Sequence, residues 1–258
     1  HAKRIHGRIL TTIASAILDP RQEHSLSEAA QKILQSLGSI EARLQVLERR
    51  SHGATAVYVG NGLVLLRTDF MSPSYAGPPL IFLLDGDDKL LAPRFIADGI
   101  FEPEVTSFFM KTVKTNSNCL DVGANFGYYT CLFGRLAPQG KTIAIEADPK
   151  TYAQLVDNIH INWLASQISA INLAAADKPG QLTLHRRLTR AGNTSIIKVP
   201  DADLEIYGEP PSQAFDVQCR PLDSVLDDFG GRIDVMKVDV EGAEPLVFAG
   251  ATELISLN

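Results

Sequence analysis

One junction constrains this chain more than any other. The apolar run through Leu120, Asp121 and Val122 breaks into Gly123-Ala124-Asn125-Phe126-Gly127, and Tyr128-Tyr129-Thr130 then opens a helical pattern. A strand ending in an acid, a glycine turn and a helix N-terminus form the part of an α/β protein that lets a nucleoside-bearing cofactor approach the backbone. Gly123 and Gly127 lack a Cβ, so the turn can take unusual φ/ψ and a ligand can lie close to it.

Residues at set distances beyond the turn give it its weight. Lys141 to Glu146 reads as a second strand ending in a carboxylate, and Glu146 stands 23 residues after Gly123. That is near the offset of about 20 at which an acid meets ribose hydroxyls in nucleotide-binding βαβ units. Leu132, Phe133 and Leu136 give the intervening helix an apolar face, and Pro138-Gln139-Gly140 ends it. Asp148-Pro149 opens another helix, with Asp as N-cap and Pro at the first helical position. Its buried face is expected at Tyr152, Leu155, Val156, Ile159 and Trp163. Ile168 to Ala174 is a third strand, and Asp177 to Gly180 turns away from it. A fourth strand, Ile233 to Asp239, runs into Val240-Glu241-Gly242-Ala243-Glu244. Strands alternating with helices predict a mostly parallel, doubly wound sheet with its ligand site beyond the strand C-termini. Asp121, Glu146 and Asp239 all stand at such ends.

From Gly99 to Leu254 the chain resembles the FkbM-type S-adenosylmethionine-dependent methyltransferases. The resemblance rests on Gly99-Ile-Phe-Glu102, Leu120 to Tyr129, Ile145 to Pro149, Ala175 to Gly180, Gly192-Asn-Thr-Ser195 and Lys237 to Glu244, then Phe248-Ala-Gly-Ala251. It implies an α/β class I methyltransferase (Rossmann-like) doubly wound sheet, S-adenosyl-L-methionine as cofactor, and O-methylation of a carbohydrate, glycan or polyketide-like hydroxyl. The family's sheet continues past the Glu241-Gly-Ala-Glu244 block, so a sheet cut after its fourth strand is expected here. Such a cofactor carries its own leaving group; the protein must align donor and acceptor, exclude water and accept a proton.

On this reading Gly123 and Gly127 let the methionine part and ribose lie against the turn. Asp121 orders that turn or meets the methionine ammonium, or merely satisfies backbone donors. Asn125 bonds the turn or the methionine carboxylate. Glu146 accepts both ribose hydroxyls. The backbone at Ala176 and Asp177 flanks adenine. Glu102 contacts the cofactor or caps the Glu102–Lys114 helix. Asp239 and Glu241 orient or deprotonate the acceptor, or else bond N–H groups of the following helix.

The first hundred residues read differently, and the chain divides into 1–54, 55–98 and 99–258. Leu26, Ala30, Ile33, Leu37, Ile40, Leu44 and Leu47 alternate at steps of 4 and 3 for three heptads. They predict either a short coiled coil that makes a homodimer or docks a partner, or an amphipathic helix packed on its own domain. Asn61-Gly62 between two apolar runs predicts a hairpin, and Leu80 to Leu84 adds a third strand to a small β cap. Asp85-Gly-Asp-Asp88 lacks calcium-loop spacing and reads as a solvated turn. Gln181 to His185 and Phe215 to Cys219 predict a β insertion, and the acidic loop Pro200–Pro211 between them a substrate lid.

Composition sets outer bounds. Twenty-four Lys and Arg against 30 Asp and Glu give a net charge of −6, which argues against a main role in gripping nucleic-acid phosphate. Cys119, Cys131 and Cys219 show no metal-ligand spacing and read as free thiols in a reducing, cytoplasmic compartment. His52, His160 and His185 have no partners at ligand spacing, so no metal is expected. No apolar run approaches the ~20 residues of a membrane span. Two rivals remain. A nicotinamide-dependent oxidoreductase would need Gly-x-Gly-x-x-Gly, but Asn125 and Tyr128 stand where its later glycines belong. A non-catalytic binding or oligomerisation module is opposed by the intact turn and Glu146, and favoured by the stop at Asn258.

Overall fold

The computed structural model of the protein describes residues 55–68, 77–206, 208–224 and 232–257. The heptads from Leu26 to Leu47 lie outside these residues. The expected hairpin is present: β1 (Thr55–Gly60) pairs antiparallel with β2 (Leu63–Thr68), and β2 with β3 (Leu80–Asp85). Asn61 and Gly62 both have positive φ, 51° and 73°, as the two-residue turn demands.

Two helices, α1 (Leu91–Asp98) and α2 (Pro103–Thr112), lead to the main sheet. Its strands are β4 (Cys119–Val122), β5 (Thr142–Glu146), β6 (Ile168–Asn172) and β10 (Val235–Val238). They run parallel in the order β10-β4-β5-β6. The chain reverses direction across the sheet between β4 and its two neighbours, so the C-terminal ends of β4, β5 and β10 open one crevice. Helices α3 (Tyr128–Leu136) and α4 (Pro149–Ile161) connect the first three of these strands.

Both faces of the sheet are buried, which is why its strands read as near-continuous apolar runs. On one face Cys119, Ala144 and Val235 pack with Leu132, Phe133, Leu155 and Ile159. On the other, Leu120, Val122, Ile143 and Ile145 pack with Val247 of α6 (Glu244–Ala249) and Leu254 of α7 (Thr252–Leu257). All three cysteines are free and buried, and burial pushes the Cys119 thiol up to about 12.

The β cap shares this core, with Leu66, Leu80, Phe82 and Phe95 fully buried in it. Asn158 on α4 and Asn162 at its C-cap hold it there. Asn158 Oδ1 accepts the Leu83 N–H at 2.7 Å while its Nδ2 donates to the carbonyls of Leu83 and Phe126. One turn later Asn162 does the same to Ile81, accepting its N–H at 2.9 Å and donating to its carbonyl at 2.6 Å. Side-chain amides at i and i+4 thus replace the missing neighbour strand at the open edge of β3.

Three elements depart from the sequence reading. The expected strand from Ile168 to Ala174 divides. Leu173 N–H bonds the Glu146 carbonyl, and β7 (Ala174–Ala175) leaves to pair with β9 (Gln213–Arg220). With β8 (Gly180–Arg186), these form the sheet β7-β9-β8, which is the expected β insertion. Trp163 is not on the buried face of α4. The helix ends at Ile161, Trp163 takes φ 59°, and the ring is 90% exposed while Leu164 turns inward. The helix after Glu102 spans Pro103–Thr112 and not the full Glu102–Lys114 stretch.

Candidate active site

The crevice holds a cavity of about 350 Å³, within the range of small-molecule sites. Its floor is the turn Gly123–Asn125; Glu102, Glu146, Lys237, Asp239 and Glu241 also line it. Six of the ten expected site residues therefore meet in one space.

The glycines serve mainly the protein. A Cβ on Gly123 would lie 1.9 Å from the Asp239 carbonyl oxygen, so the missing side chain is what lets the β4 turn pass the end of β10. A Cβ on Gly127 would meet Leu155 Cδ1 at 2.5 Å, which makes this glycine a packing position under α3, outside the cavity. Both have positive φ, 77° and 92°. Asn125 sits between them at φ 52°, its Oδ1 accepting the Phe126 N–H at 2.8 Å. It bonds the turn.

Glu146 is 9% exposed, and each of its oxygens accepts one backbone N–H: Oε2 from Asn125 at 2.8 Å, Oε1 from Asp148 at 2.9 Å. Burial nonetheless pushes its carboxyl up to about 7, the two N–H groups opposing the shift. Each oxygen keeps a lone pair for a ligand, the pattern that two vicinal hydroxyls need. Asp121 lies beneath the turn and does not line the cavity. Its Oδ2 accepts the Thr130 hydroxyl at 2.6 Å, and the buried Oδ1 has no partner among the described residues. Burial raises its pKa, while Lys237 and Thr130 pull it down.

Glu102 does not cap α2 through its side chain. It stands at φ 42° and its Oε2 accepts the Tyr129 hydroxyl at 2.7 Å. Across the same ring lies Lys237, its Nζ 5.0 Å from the Tyr129 centroid and 3.1 Å from Asp239 Oδ2. Neither Tyr129 nor Lys237 was marked as a site residue by the sequence. The register supplies the missing signal, because Lys237 pairs with Asp121 in β10–β4 and so shares its face.

Glu244, the first residue of α6, serves the turn that carries Asp239 and Glu241. Its carboxylate accepts the N–H groups of Val240 at 3.2 Å and Gly242 at 3.1 Å. Glu241 stands at φ 51°, strained for a non-glycine residue, and its carboxyl is raised by burial and by the charges of Asp239 and Glu244.

Two expectations move. Ala176 and Asp177 do not line the cavity; Ala147, Leu173, Ala174 and Ala175 take that wall. The cause is β7, whose pairing with β9 carries on into an Ala176 N–H bond to the Arg220 carbonyl. The Pro200–Pro211 loop, expected as a lid, carries α5 (Asp201–Ile206) and does not touch the cavity. The cover is instead the segment from Arg190 to Ile196. Ser195 Oγ donates to the Glu241 carbonyl at 2.7 Å, and Glu209 at the end of the acidic loop grips Arg187 and Arg190 at 2.5 and 2.7 Å. Arg186 pairs with Asp148, the N-cap of α4, whose Oδ1 accepts the Lys150 N–H. Among the described residues no cluster of His, Cys, Asp or Glu fits a metal ion, and no helix is long and apolar enough to cross a membrane.

A crevice beyond the C-terminal ends of β4, β5 and β10, with a glycine turn as its floor, has the place of the donor site in a class I methyltransferase, whose donor is S-adenosylmethionine. The residues fit that donor: spare acceptor capacity on Glu146, and charges of both signs at the far end, Lys237 with Glu102 and Asp239. The model of the FkbM methyltransferase domain matches residues 121–257, and the chain belongs to that family. It is 29% identical over 183 residues to the methyltransferase sdnD of Sordaria araneosa, covering 62% of this chain and 69% of that one. Over 74 residues it is 35% identical to the tRNA(Phe) (4-demethylwyosine(37)-C(7)) aminocarboxypropyltransferase of Pyrococcus horikoshii, covering 28% of this chain and 25% of that one. Among solved structures, P. horikoshii TYW2 in complex with MeSAdo is similar at 20% identity and TM-score 0.32, over 62% of this chain and 54% of its own.

Proposed function

We propose that the protein methylates a hydroxyl oxygen of a carbohydrate, glycan or polyketide-like metabolite. The observation that carries this reading is the pair of carboxylates at the end of β10: Asp239 and Glu241 face the cavity while Glu244 satisfies the neighbouring backbone. S-adenosylmethionine supplies an activated methyl group when bound. Glu146 holds the ribose, Gly123–Asn125 the chain beyond it, and Ala147 with Leu173–Ala175 the adenine. Asp239 or Glu241 orients the acceptor hydroxyl and takes its proton, and the Arg190–Ile196 cover excludes water. The neutral character of such acceptors agrees with a lining that is mostly uncharged and whose charges are of both signs. The protein acts in the cytoplasm, and its Leu26–Leu47 heptads join two copies.

The test is transfer of labelled methyl from S-adenosylmethionine to a panel of glycosides and polyketide alcohols, with S-adenosylhomocysteine as co-product. The named tRNA relative transfers a different group, so release of methylthioadenosine would place this chain with it. Methylation of tRNA or of amines but of no alcohol would refute the acceptor class.

A further inference from the structure

We infer that Lys237 reads the carboxylate at the amino-acid end of the donor and makes that end a condition of binding. The inference rests on S-adenosylmethionine being that donor. Three cations line the cavity: Arg94, Arg190 and Lys237. Arg190 is held by Glu209 at 2.7 Å and Arg94 lies within 3.9 Å of Asp98, with its side chain 74% exposed. Lys237 differs from both. Its side chain is 11% exposed, it rises from β10 beside Asp121 of β4, and it stacks on Tyr129. An ammonium has three protons to donate. One meets Asp239; among the described residues the others have no hydrogen-bond partner.

Opposite charges share this end of the cavity. Tyr129 separates Lys237 on its face from Glu102 at its hydroxyl. A zwitterion of one carboxylate and one ammonium is the ligand such a set complements: Lys237 takes the carboxylate, and Glu102 the ammonium. At the other end Glu146 and the Leu173–Ala175 wall suit a nucleoside. A molecule with a nucleoside at one end and an α-amino acid at the other meets both sets at once. The consequence is selectivity against nucleosides that lack the amino-acid tail.

The experiment is calorimetric titration of the full chain with S-adenosylhomocysteine and with its decarboxylated analogue. Wild type is expected to bind the analogue about ten- to a hundred-fold more weakly, the range of one hydrogen bond to a charged group. Lys237→Met should lower affinity for S-adenosylhomocysteine to that of the analogue and leave the analogue's own affinity unchanged. Lys237→Arg should restore most of the discrimination. Equal binding of both ligands by wild type overturns the inference without any mutant, and so holds if Lys237→Met fails to fold. Equal weakening of both ligands in Lys237→Met overturns it too, assigning the side chain to the packing of β10. If wild type binds neither ligand, the donor reading fails as well, a result distinct from loss of discrimination alone.

Discussion

Donor binding should be linked to a proton on Glu146. In the free protein burial lifts this carboxyl to about 7, whereas a pair of ribose hydroxyls donates to both oxygens, and most strongly, in its ionised form. Binding then selects the carboxylate, and apparent affinity scales with the ionised fraction. That fraction is about 0.9 at pH 8, one half at pH 7 and about 0.09 at pH 6, for a pKa near 7. S-adenosylhomocysteine should therefore bind about tenfold more weakly at pH 6 than at pH 8, a difference of about 1.4 kcal/mol. At pH 7 about half a proton should be released per ligand, visible as a calorimetric enthalpy that changes with the ionisation enthalpy of the buffer. Glu146→Gln should bind more weakly and lose the pH dependence, which separates Glu146 from Asp121, whose pKa is also raised. The same shift has the opposite sign for stability. The folded protein holds this proton more tightly than the unfolded chain, so the contribution is complete below pH ~4.5 and lost as pH rises through ~7. Its size is on the order of 3 kcal/mol, and the melting temperature of the free protein should fall from pH 6 to pH 8 in wild type only. Flat affinity and flat stability across that interval would refute the reasoning.

The remaining predictions concern the frame and the chemistry. Asn158→Leu leaves the Leu83 N–H and the Phe126 carbonyl without their partner, while Gln154 still donates to the Leu83 carbonyl at 2.7 Å, and should cost about 2–4 kcal/mol in chemical denaturation; a loss under about 1 kcal/mol would show that β3 does not need the asparagine. Gly123→Ala should cost more than about 3 kcal/mol or prevent folding, by driving a Cβ onto the Asp239 carbonyl, while Gly60→Ala, with nothing within 4 Å, should cost about 1 kcal/mol for its positive φ alone. Similar losses in the two would remove the close approach from the argument. Asp239→Asn or Glu241→Gln should reduce kcat by about 10²–10⁴-fold with S-adenosylhomocysteine affinity nearly unchanged; wild-type turnover in both would leave neither as the proton acceptor. Leu37→Glu should shift sedimentation from dimer toward monomer, and a wild type that sediments as a monomer at high concentration would contradict the coiled coil.

Much of the donor side was legible because its signals are local. Strand end, glycine turn and the acid at the next strand end succeed one another within a single βαβ unit, so spacing along the chain stands in for distance in space. The Asn61-Gly62 hairpin was legible for the same reason. Asn158 and Asn162 were not, since their task is set by a strand some 75 residues earlier and they look like ordinary polar positions on a helix. Lys237 and Tyr129 stand within motifs but gain a role only from the register of β10 on β4 and from a helix turned toward it. That Ala174 and Ala175, rather than Ala176 and Asp177, line the cavity was not legible, because no local pattern tells where a strand abandons one sheet for another. The cover was assigned to the longer acidic loop on length alone; the structure uses that loop to hold two arginines and leaves the shorter segment over the cavity.

The central claim is that this cavity brings the methyl group of S-adenosylmethionine to an alcohol. Its most direct measurement is mass spectrometry of both products after incubation with deuteromethyl-labelled donor and the alcohol panel. The account predicts S-adenosylhomocysteine in equal amount to an alcohol carrying the label as an ether, with both lost together in Asp239→Asn. Methylthioadenosine in place of S-adenosylhomocysteine, or label appearing on nitrogen or carbon alone, would contradict it.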